Sequence, residues 1–394
     1  MALRVAIVGS GSAGPATAIF LARAGHEVVL FERAREELAV GAGFLLQPTG
    51  LAVLRDLNLH EEVLEAAEKI HGLYCETKTG GVLLDLKYAE LEEGLFGLGT
   101  HRATFLRILL HGMEDAGAAV SWGAEATDLR EENGKRYLVF ADGREEGPFD
   151  LVVLADGARS RLRDQTGIPS RVDRYPWGAL WFIGKRTPEF SRDQLWQKVG
   201  STRELCGFLP TGTKEDLLSM FWSVRMNDPL PSLEEWKKQV LALVPKAEGF
   251  LEQVTSIDQL QKASYHDVRM KRWDAPGIAV LGDAAHALSP QLGQGVNLAL
   301  VDAAGLVSCL GRFGLERGLI EFSRLRKKHI GFYQFATRWT TPFFQSDHLW
   351  LGKIRDLGFP LGMKSKYLRR QMTTTMAGLK TGVFGRLKNA SERN

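Results

Sequence analysis

The chain reads as an α/β protein: a Rossmann-like parallel sheet, an antiparallel-sheet domain inserted into it, and a helical C-terminus. Three observations carry that reading. The first 35 residues run apolar strand, small-residue helix, apolar strand, punctuated by glycines. Two later apolar runs, 149–154 and 277–281, end next to an acid–glycine or glycine–acid pair. Between them, 171–266 is rich in aromatics and alternates like antiparallel strands at 178–184 and 217–224. In chain order, Arg-Val-Ala-Ile-Val-Gly at 4–9 is the uninterrupted apolar run of a strand buried on both faces. Residues 12–25 form a helix closed by Gly25, and 27–32 a second β-branched strand, completing a βαβ unit. Phe105, Leu106, Leu109, Leu110 and Met113 fall at helical spacing, which predicts a helix over 102–116. A charged amphipathic helix is expected over 320–334.

Composition narrows the class. The 394 residues suffice for two or three domains, with 44% hydrophobic and 25% charged residues, an ordinary globular balance. No run is judged apolar enough for a membrane span, and the N-terminus begins directly as a strand, without a signal peptide's apolar stretch. Cys75, Cys206 and Cys309 are too scattered for a disulfide framework or a metal set. A reducing cytoplasm is therefore expected, with no metal. The net charge of +3 argues against a nucleic-acid binder. Its distribution is uneven: residues 351–394 hold ten Lys and Arg against two acids, a net +8, leaving the remainder at −5.

Gly9-Ser-Gly11-Ser12-Ala13-Gly14 follows the first strand and opens the first helix. The first glycine permits the tight turn, the second lets a pyrophosphate approach the backbone, and the third lets helix and strand pack closely. The helix N-terminus offers free N–H groups to the phosphates. Glu32 ends the next strand, where a carboxylate grips ribose hydroxyls and repels a 2′-phosphate. NADP is thus disfavoured at this loop, whereas FAD and NAD both fit.

Two further motifs follow. Asp150-Leu-Val-Val-Leu-Ala-Asp156-Gly157-Ala-Arg159 ends a strand in an acid–glycine turn. Gly277-Ile-Ala-Val-Leu-Gly282-Asp283-Ala-Ala-His286 ends another in glycine–aspartate, followed by Pro290-Gln-Leu-Gly293-Gln294-Gly295-Val296-Asn297. Asp302 on the ensuing helix reads as a surface acid, His286 as a structural polar residue and His266 as a surface histidine.

In this order the motifs resemble the FAD-dependent aromatic hydroxylases, the single-component flavoprotein monooxygenases that include p-hydroxybenzoate hydroxylase, over about the first 335 residues. The resemblance implies a tight, non-covalent FAD. Its adenosine end would be held by the Gly9–Gly14 loop, Glu32 and Arg33, and its middle by Gly282 and Asp283. The turn Gly41-Ala-Gly43 and Arg102 would lie near the flavin, and Asp156 and Gly157 would serve both FAD and NAD(P)H. Leu154 replaces the glycine usual in the second motif. It also implies that NADPH or NADH is the co-substrate with O2, and that a flavin C4a-hydroperoxide hydroxylates an electron-rich aromatic substrate. The expected domains are 1–75 plus 98–170 plus 267–335 for FAD, 76–97 plus 171–266 for substrate, and a basic helical segment over 336–394.

The helix opened by Gly293–Gly295 would direct its positive end at the flavin ring. Pro290 would stiffen the loop above that ring, and Trp181, Phe208 and Phe221 are the expected pocket walls. A flavin-dependent halogenase is one alternative, but Trp177-Gly-Ala-Leu-Trp181-Phe-Ile183-Gly184 lacks that family's Trp-x-Trp-x-Ile-Pro spacing and its proline. A non-oxygenating FAD reductase or isomerase, or a binding protein without turnover, are the others. The basic tail reads either as a helical cap with solvated charges or as a peripheral membrane contact. Its likeness to ubiquinone-biosynthesis hydroxylases at Phe344-Gln-Ser-Asp347 and Arg355-Asp356 points to a bulky, lipophilic substrate.

Overall fold

The computed structural model describes residues 2–37, 42–382 and 385–387. Gly41, Lys388, Glu392 and Arg393, all invoked above, lie outside the described residues. The central sheet has six strands in the order Asp274–Ala275, Ile278–Val280, Leu151–Leu154, Arg4–Val8, Glu27–Glu32, Ala119–Trp122. All neighbours in it are parallel except the Asp274–Ala275 edge. Arg4–Val8 and Leu151–Leu154 are apolar because both faces are covered: helix Ala13–Arg23, backed by Gly295–Phe313, packs on the sheet, and the strands Lys135–Phe140 and Glu145–Phe149 pack on it through Leu138, Phe140 and Phe149.

A seven-stranded sheet is built from Gln261–Met270, Ser170–Lys185, Leu217–Arg225, Leu205–Gly212, Gln194–Val199, Gly72–Thr77 and Val82–Lys87, in that order. It is antiparallel except where Gln194–Val199 pairs with Gly72–Thr77. One face packs on helix Leu233–Leu243 and the turn around Phe250, forming a second core with Phe190, Phe208, Trp222 and Trp236. The other face looks toward the loops of the first sheet. Two three-stranded sheets complete the β structure: Gly43–Leu46, Gly97–His101 and Glu68–Ile70, and a meander over Ala126–Phe149 that the sequence reading did not anticipate.

The helix expected over 320–334 runs further, Leu315–Phe344, and Leu349–Lys364 and Lys366–Met376 follow it. Gly295–Phe313 does have the length and hydropathy of a membrane-crossing helix, contrary to the sequence reading. Half of it is buried against other helices, the disposition of a core helix. Cys75, Cys206 and Cys309 are unpaired and buried.

Candidate functional site

The glycine loop is shaped by sterics that only glycine tolerates. Gly9 has φ +103°, and a β-carbon there would lie 2.6 Å from Ala155 O. A β-carbon on Gly14 would collide with Gly9 O, so helix and strand are packed backbone to backbone. Gly11 is different. A β-carbon there meets nothing within 4 Å, so its backbone faces open space at the mouth of the helix. That space, rimmed by N–H groups, fits a pyrophosphate. Ser12 stands at the N-cap position without a side-chain capping bond, which leaves the first N–H groups free, and Ala13 behind it is buried. Glu32 is held against the loop: its carboxylate accepts from Ser10 N at 2.8 Å, Ser10 Oγ at 2.9 Å and Ala34 N at 2.9 Å. Arg33 beside it is exposed.

The carboxyl ends of three neighbouring parallel strands converge here. Leu151–Leu154 delivers Asp156, whose Oδ1 is buried without a hydrogen-bond partner. Burial pushes its carboxyl up, against the pull of Ser160 and the nearby Arg163 and Arg33. An orphaned buried acceptor in this position is the mark of a missing ligand group. Gly157 turns with φ +87°. Ile278–Val280 delivers Gly282, φ +56°, which nestles against Ala13 and Ala299, and Asp283, which is exposed. A β-carbon on Gly295 would lie 3.8 Å from Asp283 Oδ1, so this carboxylate stands beside the start of Gly295–Phe313.

Pro290 opens a short 3-10 turn that Gly293, in the left-handed region at φ +60°, redirects into that helix. Asn297 stitches the turn to the strand opposite. Its Oδ1 accepts from Gln47 N at 2.8 Å, and its Nδ2 donates to Leu45 O at 3.2 Å and Gly293 O at 3.0 Å. Gln294 donates from Nε2 to Met376 O at 2.8 Å, while its Oε1 is buried and unpartnered. The C-terminal segment therefore closes the loop from behind, a contribution for which the sequence carried no signal. Val296 is half-buried, as is the helix start around it. Arg102 is exposed at the start of Arg102–Asp115 and bonds through its N–H to Ala42 O.

Asp302 corrects an expectation. It is fully buried, not a surface acid. Its carboxylate accepts from Gly282 N at 3.0 Å, pairs with His286 Nε2 at 2.6 Å and with Arg326 Nε at 2.7 Å. Burial alone would raise its pKa, but His286 and Arg326 hold it down to about 2. Arg326 continues to His329, which bonds Gly378 O at 2.8 Å. His286 is thus a structural residue. His266 is half-buried rather than on the surface, and burial, with Arg159 and Arg174 nearby, lowers its pKa.

The aromatics divide between the two faces of the seven-stranded sheet. Trp181 pairs across the ladder with Phe221, ring centroids 5.2 Å apart. Ser219, two residues from Phe221 and so on its face, accepts from Gly43 N at 3.0 Å. Ser223, two residues the other way, accepts from Gln345 Nε2 at 3.0 Å. Trp181 and Phe221 therefore face the glycine-rich loops, joined by Tyr265, which hydrogen-bonds the Trp181 side chain and whose hydroxyl burial keeps protonated. Phe208 does not join them. It stacks on Phe190 at 4.1 Å in the core on the far face. Ser219, Ser223, Tyr265 and Gln345 were missed. The alternation Ser219-x-Phe221-x-Ser223 could have revealed the two serines.

The family model described as "FAD binding domain" matches residues 2–317. A probable 2-heptyl-3-hydroxy-4(1H)-quinolone synthase of Rhodococcus erythropolis is 27% identical over 334 residues, 82% of this chain and 84% of that protein. The 6-hydroxynicotinate 3-monooxygenase of Pseudomonas fluorescens is 24% identical, covering 81% of this chain and 86% of its own length. The 3-amino-4-hydroxybenzoate 2-monooxygenase of Streptomyces cremeus is 29% identical, with 78% of each chain covered. Among solved structures, Klebsiella pneumoniae HpxO complexed with FAD and uric acid superposes with a TM-score of 0.83 at 19% identity, covering 97% of this chain and 98% of its own. At that identity the likeness is one of fold.

Proposed function

The chain belongs to the FAD-binding-domain family, and from that premise we propose that it hydroxylates a bulky, electron-rich bicyclic aromatic carrying an apolar substituent, of the alkylquinolone kind. Its reaction class is that of its relatives: it is an FAD-dependent aromatic monooxygenase that consumes NAD(P)H and O2. The monooxygenase names of these relatives do not favour the reductase, isomerase or halogenase alternatives.

One observation carries the substrate reading. The sheet face opposite the glycine-rich loops combines broad apolar walls, Trp181 and Phe221, with a few hydroxyls, Ser219, Ser223 and Tyr265. Apolar walls with sparse polar groups suit a fused ring system with one or two oxygens. The quinolone synthases among the relatives and the aurachin C monooxygenase/isomerase of Stigmatella aurantiaca carry names of that chemistry.

A bound flavin would supply the redox chemistry, passing electrons from NAD(P)H to O2 so that one oxygen atom reaches the substrate and the other leaves as water. The chain's own residues do the rest. The Gly9–Gly14 loop and Glu32 hold the adenosine diphosphate end, and Asp156 with Gly157 closes the far side of the loop. Asp283 accepts hydroxyls of the linking chain. The first N–H groups of Gly295–Phe313 would serve the ring end, where their partial positive charge would stabilise negative charge. Tyr265 keeps its proton and donates the O–H to a substrate oxygen, fixing which ring carbon points at the loop. Trp181 and Phe221 exclude water. A peripheral membrane contact through the C-terminal helices belongs to the same proposal.

The test is NAD(P)H oxidation by the flavin-loaded protein against a panel of alkylated hydroxyquinolones and monocyclic hydroxybenzoates. Substrate-stimulated oxidation restricted to the alkylated bicyclics is expected. Stimulation by monocyclic carboxylates alone would overturn the substrate class and leave the flavin chemistry standing.

A further inference from the structure

Helix Leu349–Lys364 packs on the rest of the protein along one edge only. Its buried residues are Gly352, Arg355 and Gly362, two glycines and a cation. Arg355 is fully buried and makes a socket of polar contacts: to Gly200 O at 2.8 Å, Phe343 O at 3.1 Å and Asp356 Oδ1 at 2.8 Å. The opposite side carries Trp350, Ile354, Leu357 and Leu361, spaced four, three and four residues apart and hence on one stripe. They are 60%, 50%, 69% and 56% exposed. The helix packs through Arg355 together with half-buried Phe359 and Met363, and its remaining apolar stripe is unpartnered among the described residues.

The stripe is not isolated. Phe335 and Trp339, one turn apart on Leu315–Phe344, are 64% and 58% exposed. Ring contacts run from Trp339 to Phe343 and from Phe343 to Phe359, linking the aromatic edges of the two helices.

Charge decides what covers this face. Lys353 and Lys364 flank the stripe on its own helix, and Lys366 and Arg370 follow on the next; all four are exposed. Asp356 is the sole acid in 349–370, and it is engaged by Arg355. A second copy of the chain, meeting this face about a two-fold axis, would set these cations against themselves. An anionic bilayer satisfies both halves of the surface: acyl chains for the stripe, headgroup phosphates for the lysines, with tryptophan at the boundary between them.

We propose that helix Leu349–Lys364, with the exposed aromatic edge of Leu315–Phe344, is a docking face for an anionic lipid surface, lying flat with Trp350, Ile354, Leu357 and Leu361 sunk to the boundary between headgroups and acyl chains. The purpose follows from the lipophilic-substrate reading, on which the inference rests in that respect alone: docking would place the enzyme where such a substrate concentrates. Vesicle binding needs no turnover, so the two readings fail separately.

The experiment is sedimentation of the full-length, flavin-loaded protein with vesicles of phosphatidylcholine alone or of phosphatidylcholine mixed with phosphatidylglycerol. Binding to the anionic vesicles, weakened by salt, is expected. The double variants Ile354→Glu/Leu357→Glu and Lys353→Glu/Lys364→Glu should each reduce it about tenfold, while flavin absorbance and substrate-stimulated NAD(P)H oxidation in detergent-free buffer stay at the parent level. No binding to either vesicle, or equal binding by parent and both variants, overturns the proposal. So does a dimer in light scattering that Leu357→Glu dissolves without any vesicle binding, which would assign the face to self-association.

Discussion

At Gly11 a side chain would meet nothing, whereas at Gly14 it would meet the carbonyl of Gly9. Two glycines of one motif therefore answer to different demands, one from a ligand and one from the fold. Gly11→Val should leave the thermal midpoint of the flavin-free protein within a few degrees of the parent, since exposed substitutions move stability by about 0.5 kcal/mol or less. The same variant should purify colourless. Gly14→Val should lose the fold itself, seen as aggregation or a collapsed far-ultraviolet spectrum. If the Gly11 variant stays yellow, the pyrophosphate does not lie on that loop. The packing demand at Gly14 was legible in the sequence because glycine spacing after a strand maps directly onto backbone geometry, while the ligand demand at Gly11 belongs to the proposed function. Asp302 was not legible. An acid inside a helix looks solvated until its partners are known, and Arg326 lies 24 residues further along the chain.

At the scale of the element, the seven-stranded sheet separates residues that one-dimensional reading groups together. Alternation tells which residues share a face. It does not tell which face meets helix Leu233–Leu243 and which meets the loops, because that depends on where the chain returns. Hence Trp181 and Phe221 came out facing the loops and Phe208 the far core. Trp181→Ala should raise KM for a bulky substrate about tenfold, the worth of one good apolar contact of ~1.4 kcal/mol, with little loss of stability. Phe208→Ala should cost about 3–5 kcal/mol of stability by opening a cavity, with KM unchanged in the folded fraction. Urea unfolding and steady-state kinetics on the two variants separate these outcomes. Within helix Gly295–Phe313, Asp302→Asn leaves Arg326 buried without its counter-charge and should destabilise by about 3–5 kcal/mol.

For the whole molecule, the network Gly282–Asp302–Arg326–His329–Gly378 ties the strand ends of the first sheet to the C-terminal segment. Burial, reinforced by the Arg326 charge, lowers His329 from an ordinary 6.5 to about 3. The unfolded chain therefore takes up the proton first. Stability is fully present above about 6.5 and falls as pH drops from there toward 3, by up to about 1.4 kcal/mol per unit. Asp302 adds a second loss of the same sign only below its ordinary 3.8, as pH approaches its folded value of about 2. His329→Gln should flatten the fall between pH 6.5 and 5 in urea titrations; an unchanged slope would mean that this histidine already holds its proton in the folded state. None of this closure was readable in advance, because the residues involved come from four separate stretches of chain.

The three buried thiols acquire a meaning in this setting. Flavin enzymes that activate oxygen leak hydrogen peroxide whenever substrate and reduction fall out of step. Peroxide attacks thiolates, not thiols. Burial pushes Cys75 up to about 12, raises Cys206 well above its ordinary value and raises Cys309 as well. The three thiols are kept protonated and out of reach, so the cysteines of the folded chain are insulated from the by-product of its own catalysis.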